Sequence, residues 1–277
     1  MTFMIQDISP SRLDNSFKSR QLSPEDLMLC FDKDGRLLAD ASGEILRFPT
    51  AEEVHADKTV YAFSLDSKCF FIALSDYSFE DESFGHYTLR ELRDRFGGKE
   101  IFAAFTAYHL WRWYADNLFC GRCGKSLQLS DTERALRCPE CGSIIYPRIN
   151  PAVIVGVTKG NSLLITRYRR GYSHNALVAG FTEIGETLEQ TVAREVMEET
   201  GVKVKNIRYY KSQPWGMAQD MLVGFFCEAD VNSEIHMDEI ELKYAEWVPR
   251  EEIVLQPNNL SLTNEMMKVF KENTLSL

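Results

Sequence analysis

The sequence predicts an α+β chain in three parts: a β-rich N-terminal region, a small central metal ribbon and a C-terminal α/β/α sandwich. Three observations predict it. Short apolar runs alternate with turn residues from the start to about residue 85. Two Cys-x-x-Cys pairs, Cys120/Cys123 and Cys138/Cys141, sit near the middle. Beyond them, strand-like runs are broken by one acidic, amphipathic helix and closed by a second helix.

The bulk properties narrow the class. A chain of 277 residues can build more than one core. A net charge of −10 argues against broad, non-specific nucleic-acid binding. No 18-residue apolar run and no basic-then-apolar N-terminus occurs, so the sequence predicts a cytoplasmic protein with no membrane partner. Seven cysteines are an odd number, and in such a compartment paired Cys-x-x-Cys spacing indicates metal rather than disulfides.

The N-terminal domain is expected over 1–97. Leu27 to Phe31 and Arg36 to Ala39 flank the turn Asp32-Lys-Asp-Gly35. Val60 to Leu65 and Cys69 to Leu74 flank Asp66-Ser67-Lys68. Asp32, Asp34 and Gly35 faintly resemble a calcium loop, but the later ligands are missing and a plain turn is the better reading. Leu89, Leu92 and Phe96 give a first helix, broken at Gly97-Gly98. Phe102, Phe105, His109 and Trp113 then mark one stripe of a linker helix over 98–118. That stripe reads as core, with His109 a packed histidine.

The ribbon is expected over 119–146. Four thiolates in two knuckles make a tetrahedral cage for structural Zn²⁺, with no ligand position left open for chemistry. Tyr146-Pro-Arg-Ile-Asn-Pro151 leads into the last domain, 147–277. There, Ala152 to Thr158 and Ser162 to Tyr168 form a hairpin about Lys159-Gly160-Asn161. Asn206 to Gln213, Met221 to Ala229 and Ala245 to Val248 are further strands, and Leu262 to Lys271 is the terminal helix. Arg167, Arg169 and Arg170 either neutralise phosphate or rim a loop.

Gly180 to Val202 organises the whole. Thr187 with Gln190 reads as a capping box. Leu188, Val192 and Val196 form an apolar stripe, and Gly201 is a good stop signal. Glu195, Glu198 and Glu199 fall at i, i+3 and i+4 on one side of the helix. Crowded carboxylates repel, and a hard divalent cation such as Mg²⁺ or Mn²⁺ removes that penalty. Gly180, Glu186, Arg194, Glu195, Val196, Glu198, Glu199, Gly201 and Val202 fill every fixed position of the pattern G-x5-E-x7-R-E-U-x-E-E-x-G-U, with U aliphatic. The chain therefore resembles the Nudix hydrolases. Ser212-Gln-Pro-Trp215 downstream, the ribbon, Tyr146-Pro-Arg and Ala179-Gly-Phe181 resemble the NADH pyrophosphatase branch of that family.

The resemblance implies a homodimeric enzyme that cuts the pyrophosphate of NAD(H) into nicotinamide mononucleotide and AMP. It extends to removal of an NAD cap from RNA. It implies that Glu195, Glu198 and Glu199 hold Mg²⁺ or Mn²⁺, helped by a backbone carbonyl near Gly180 and by Glu241, with Glu239 the runner-up. Arg194 would orient a box glutamate, and Glu186 would organise the loop or ligate through water. Phe181 and a partner's Tyr146 would hold a base, with Gln213 and Trp215 in the same pocket. A degenerate Nudix-like N-terminal domain is expected. After Trp215, Gly-Met-Ala-Gln-Asp220 departs from the Pro-Phe-Pro-x-Ser of the branch. That predicts a softer loop and an added negative charge, and it keeps ADP-ribose or another nucleoside diphosphate derivative as the next substrate. A ligand sensor of the same fold is a third reading, although it has no need of an intact acidic box.

Overall fold

A computed structural model describes residues 4–171 and 174–274. The start of the N-terminal stretch considered above, residues 1–3, lies outside them. The chain divides into two compact units. One comprises Ile5–Arg148 and Trp215–Gln219; the other comprises Ile149–Pro214 and Asp220–Leu277 with Met1–Met4.

The first unit opens with β1 (Leu13–Asp14), β2 (Leu27–Leu29), β3 (Leu37–Ala39), β4 (Val54–Ala56), β5 (Thr59–Leu65), β6 (Lys68–Ala73), β7 (Tyr77–Phe79) and β8 (Gly85–Tyr87). A four-stranded sheet runs β1-β5-β6-β2, and β3–β8 and β4–β7 are separate pairs. Met28, Leu38, Tyr61 and Phe71 fill its core. The Asp32 carboxylate accepts the Asp34 and Arg36 amides and the Arg36 side chain. It is spent inside the turn, as a plain turn requires. Helices α1 (Leu89–Arg95) and α2 (Gly98–Asp116) follow, parted at Gly97. Helix α2 buries a different set from the expected stripe: Ile101, Ala103, Ala104, Phe105, Ala107, Leu110, Trp113 and Tyr114 are covered, while Phe102 and His109 are half-buried. Small alanines between the aromatics let packing reach several faces. His109, half-buried, hydrogen-bonds the Arg148 carbonyl at 2.7 Å through Nε2. The ribbon adds β9 (Gln128–Leu129), β10 (Leu136–Arg137) and β11 (Ile144–Ile145), in the order β11-β10-β9.

The second unit contains β12 (Asn150–Lys159), β13 (Ser162–Tyr168), β14 (Val178–Phe181), α3 (Leu188–Thr200), β15 (Val204–Trp215, its last residue in the first unit), β16 (Asp220–Ala229), β17 (Leu242–Pro249) and α4 (Leu262–Lys271). The sheet runs β15-β16-β12-β13-β17, with β14 also pairing β12. Alternation along the strands feeds two cores. Val153, Val155 and Val157 face one way and pack with Val192 and Val196 of α3. Ile154 and Phe226 face the other way and pack with Leu262, Met266 and Phe270 of α4. This is the α/β/α sandwich the sequence predicts. The parallel β12–β16 ladder, from Asn150↔Asp220 to Thr158↔Glu228, runs down its middle.

Candidate active site and zinc ribbon

The two knuckles of the ribbon are built alike. Gly124 N–H donates to the Cys120 carbonyl and Gly142 N–H to the Cys138 carbonyl. Lys125 and Ser143 carbonyls accept the amides of Cys120 and Cys138. The four sulfurs lie within 4.8 Å of one another, with Cys120–Cys141 at 3.6 Å and Cys123–Cys138 at 3.4 Å. A tetrahedron with Zn–S bonds of about 2.3 Å has edges of about 3.8 Å, so the cage fits zinc. Amides of Arg122 and Cys123 aimed at the Cys120 sulfur hold its pKa below the ordinary thiol value. Four protein ligands close the coordination shell and make the site structural.

The acidic site is built by α3. Thr187 and Gln190 form the capping box, and Gly201 closes the helix in the left-handed conformation. Both helix-end signals in the sequence are therefore used. Val192 and Val196 are fully buried, which fixes the rotation of α3 and turns the glutamates toward β14 and β13.

Arg194 is the hub. Its Nε and Nη2 donate to Glu186 at 2.7 and 2.9 Å, and Nη1 donates to Glu195 at 2.8 Å and Glu198 at 2.9 Å. Nη2 also donates to the Phe181 carbonyl at 2.9 Å. Glu186 further accepts the Glu183 amide and the Thr191 hydroxyl. The Arg194 pairing, first among these, brings Glu186 down to about 2. Glu186 thus organises the loop rather than standing free for chemistry.

Glu195 and Glu199 behave differently. Glu199 is 2% exposed. Its Oε1 accepts the Tyr168 hydroxyl at 3.1 Å, and that hydroxyl in turn accepts the Ala179 amide. Burial first, then the charges of Glu195 and Glu241, push Glu199 up to about 8 against Tyr168's opposing bond. Burial also raises Glu195, with Glu198 and Glu241 adding to it against the pull of Arg194. The shifts place the Glu241 carboxylate within electrostatic reach of both. Arg169 ties the segment down by donating its amide to the Glu241 carbonyl at 2.9 Å and its Nε to the Glu239 carbonyl. Arg167 pairs with Asn175 and lies over the Tyr244 ring. These two arginines therefore act in the framework, and Arg170 is exposed.

Gly180 explains why the box begins with glycine. A Cβ there would stand 1.9 Å from the Glu195 carboxyl carbon. Only a residue without a side chain lets Glu195 lie along β14. Among the described residues, the four cysteines are the one group of three or more such side chains whose ligand atoms come together around a common centre. The glutamate oxygens are instead engaged by Arg194 and Tyr168. Still, a carboxylate kept from ionising by burial and then by its like-charged neighbours fits a hard divalent cation, because a cation offsets both costs.

The predicted base-binding residues fare unequally. Phe181 is 53% exposed beside the box. Tyr146 is 56% exposed, its hydroxyl donating to Glu133 at 3.1 Å. Gln213 is fully buried: its Nε2 donates to the Leu260 carbonyl and its Oε1 accepts the Leu262 amide. It fastens β15 to the start of α4 and is turned away from solvent. Trp215 is half-buried, edge-on to Phe105 with centroids 5.2 Å apart. Gly216 opens the loop after it. A Cβ on Gly216 would meet the Phe105 carbonyl oxygen at 2.0 Å, so glycine serves close packing against α2. Gln219 accepts a hydrogen bond from Arg148. Asp220 is buried at the head of β16. Tyr168, which sequence reasoning missed, is an amphipathic side chain at the end of β13. Its position in the strand carries no hint of the partner it meets.

This sheet, and an acidic helix that opens on a glycine strand, define a Nudix domain. The comparisons agree: residues 147–270 match the NUDIX domain, and residues 115–146 match the NADH pyrophosphatase zinc ribbon domain. The chain thus carries a NUDIX domain over 147–270, preceded over 115–146 by a zinc ribbon of the kind found in NADH pyrophosphatases. Among curated relatives, the NAD-capped RNA hydrolase NudC of Citrobacter koseri is 44% identical over 151 residues, covering 53% of this chain and 58% of that protein. The protein of the same name from Escherichia coli SMS-3-5 matches at the same identity and coverage. The match thus spans little more than half the length of these relatives. The crystal structure of a NUDIX hydrolase from Nitrosomonas europaea aligns over 56% of this chain and 90% of its own, with TM-score 0.50 and 23% identity; it supports the fold. No helix among the described residues is long and apolar enough to cross a membrane.

Proposed function

We propose that this chain is a divalent-cation-dependent NAD(H) diphosphatase that releases nicotinamide mononucleotide and AMP, and that it also removes NAD caps from RNA. The observation that carries the reading is the ionisable cluster around Glu199, set against β14. The relatives named NAD-capped RNA hydrolase support the choice of substrate.

Glu195, Glu198 and Glu199, with Glu241, would hold Mg²⁺ or Mn²⁺. Once bound, such ions neutralise the diphosphate oxygens and acidify a water for attack on phosphorus. The remaining work falls to the protein. Arg194 orients Glu195 and Glu198 and is not itself a substrate contact. Tyr168 fixes one oxygen of Glu199. Glu199 carries a proton below about pH 8 and gives it up when a cation takes its place. Phe181 projects from the strand whose carbonyl Arg194 holds, so its ring is open to a base, and stacking is worth ~1–3 kcal/mol. Tyr146 would supply the facing ring from a second copy. Exposed Phe119, Ile144 and Tyr146 on the ribbon offer apolar surface for that copy.

A second diphosphate substrate such as ADP-ribose is favoured by one observation. Asp220 and Gly216–Gln219 replace the signature loop, which leaves less aromatic surface for the second base. Product analysis with NADH, ADP-ribose and NAD-capped RNA tests both readings. Nicotinamide mononucleotide from NADH at millimolar Mg²⁺ or Mn²⁺ is the expected outcome. Turnover of ADP-ribose alone would replace it, and no turnover of any would favour a ligand sensor.

A further inference from the structure

The first unit holds a cavity of about 440 Å³ that the proposed reaction does not use. Its walls come from three places in the chain: the 31–33 turn with strand β6, helix α2, and the ribbon sheet. Leu74, Trp111, Leu129 and Leu136 make most of the wall apolar. A volume of a few hundred Å³ with apolar walls and a few polar groups is the usual form of a small-molecule site.

Three features say what would fit. The first is a ring platform. Phe31 and Trp111 are stacked with centroids 4.9 Å apart and 30° between planes, and Trp111 is half-exposed on the cavity wall. Gly35 makes that platform possible, since a Cβ there would meet Tyr108 at 3.1 Å and Trp111 at 3.4 Å. The second is charge at the rim. Lys33 and Lys58 line the cavity and are exposed, with the exposed Asp76 the other charged side chain on the wall besides Asp32. Asp32, also on the wall, is engaged by Arg36 and two amides, so the two lysines face one carboxylate, Asp76, not already paired with an arginine. The third is a polar group. Tyr114, also on the wall, is 7% exposed. Burial pushes its hydroxyl up to about 12, so it remains a neutral donor at working pH.

We propose that this cavity is a binding site for a small aromatic acid, whose ring lies against Trp111 among the leucines and whose anionic group meets Lys33 and Lys58. Its occupant joins sheet, helix and ribbon, so binding also stabilises the first unit. The assignment stands apart from the acidic site, since it shares none of its residues.

The test uses 2-naphthoate and the whole zinc-loaded protein, followed by isothermal titration. Wild type should bind one equivalent saturably. Ala115→Trp places bulk at an exposed wall position and should weaken binding about tenfold or more. Lys33→Glu with Lys58→Glu should do the same, as should exchanging the probe for the neutral 2-naphthalenemethanol. Both variants should keep the wild-type zinc content and melting temperature. No saturable binding by wild type up to about 1 mM would overturn the assignment. So would wild-type affinity in either variant, or equal binding of acid and alcohol.

Discussion

Replacing Glu199 by glutamine separates stability from metal binding. In the metal-free site the native protein keeps a proton on Glu199 up to about pH 8, whereas the unfolded chain loses it near 4.5. Between those values the native state binds more protons, so stability falls as pH rises. The full excursion spans 8 − 4.5, or 3.5 units, and at about 1.4 kcal/mol per unit it approaches 5 kcal/mol. About 3 to 4 kcal/mol of this falls between about pH 5 and about pH 8. Glutamine cannot ionise, so the variant lacks that slope. Urea unfolding of both proteins at the two pH values, in buffer freed of Mg²⁺ and Mn²⁺ with zinc retained, reads the difference directly. Wild type should lose about 3 to 4 kcal/mol more than Glu199→Gln on going to the higher pH. Adding Mg²⁺ at the higher pH should stabilise wild type and leave the variant where it was. Parallel pH dependence in the two proteins would refute the burial-driven shift, and an equal response to Mg²⁺ would refute the ligand role.

Other variants test the supports around that residue. Arg194→Lys keeps a charge but loses the fork that reaches three glutamates, and should lower kcat about 10–100-fold with little change in fold, as read by turnover and circular dichroism. Tyr168→Phe removes the bond that favours ionised Glu199, so the acid limb of the pH–rate profile should move to higher pH. Gln213→Ala should cost about 1–3 kcal/mol in denaturant unfolding through its two lost backbone bonds, while KM for NADH stays near wild type. A larger effect on KM than on stability would restore Gln213 to the substrate pocket. Removing the ribbon zinc should lower the melting temperature; a protein that purifies without zinc would refute that cage.

Local signals in the sequence proved strong where the determining physics is local. The cap at Thr187, the stop at Gly201, the break at Gly97 and the bounds Leu262–Lys271 all follow from neighbours within a turn or two. The cysteine knuckles belong with these, because each cage half is set by four consecutive residues. What spacing could not show depends on distant chain segments meeting. Tyr168 reaches Glu199 across 31 positions, and Gln213 reaches Leu260 and Leu262 across more than 40. A glycine in a loop reads as flexibility, yet Gly216 is there because the Phe105 carbonyl leaves no room for a Cβ. Helix α2 likewise looked one-sided, because its small alanines gave no warning that they too were covered.

The account's central claim is that α3 gathers hard cations. Crystals soaked in Mn²⁺ and measured at the manganese edge test it most directly. Anomalous density should appear within about 2.5 Å of carboxylate oxygens from Glu195, Glu198 and Glu199, and vanish in Glu199→Gln. Density confined to other surface acids, with these three left bare, would contradict it.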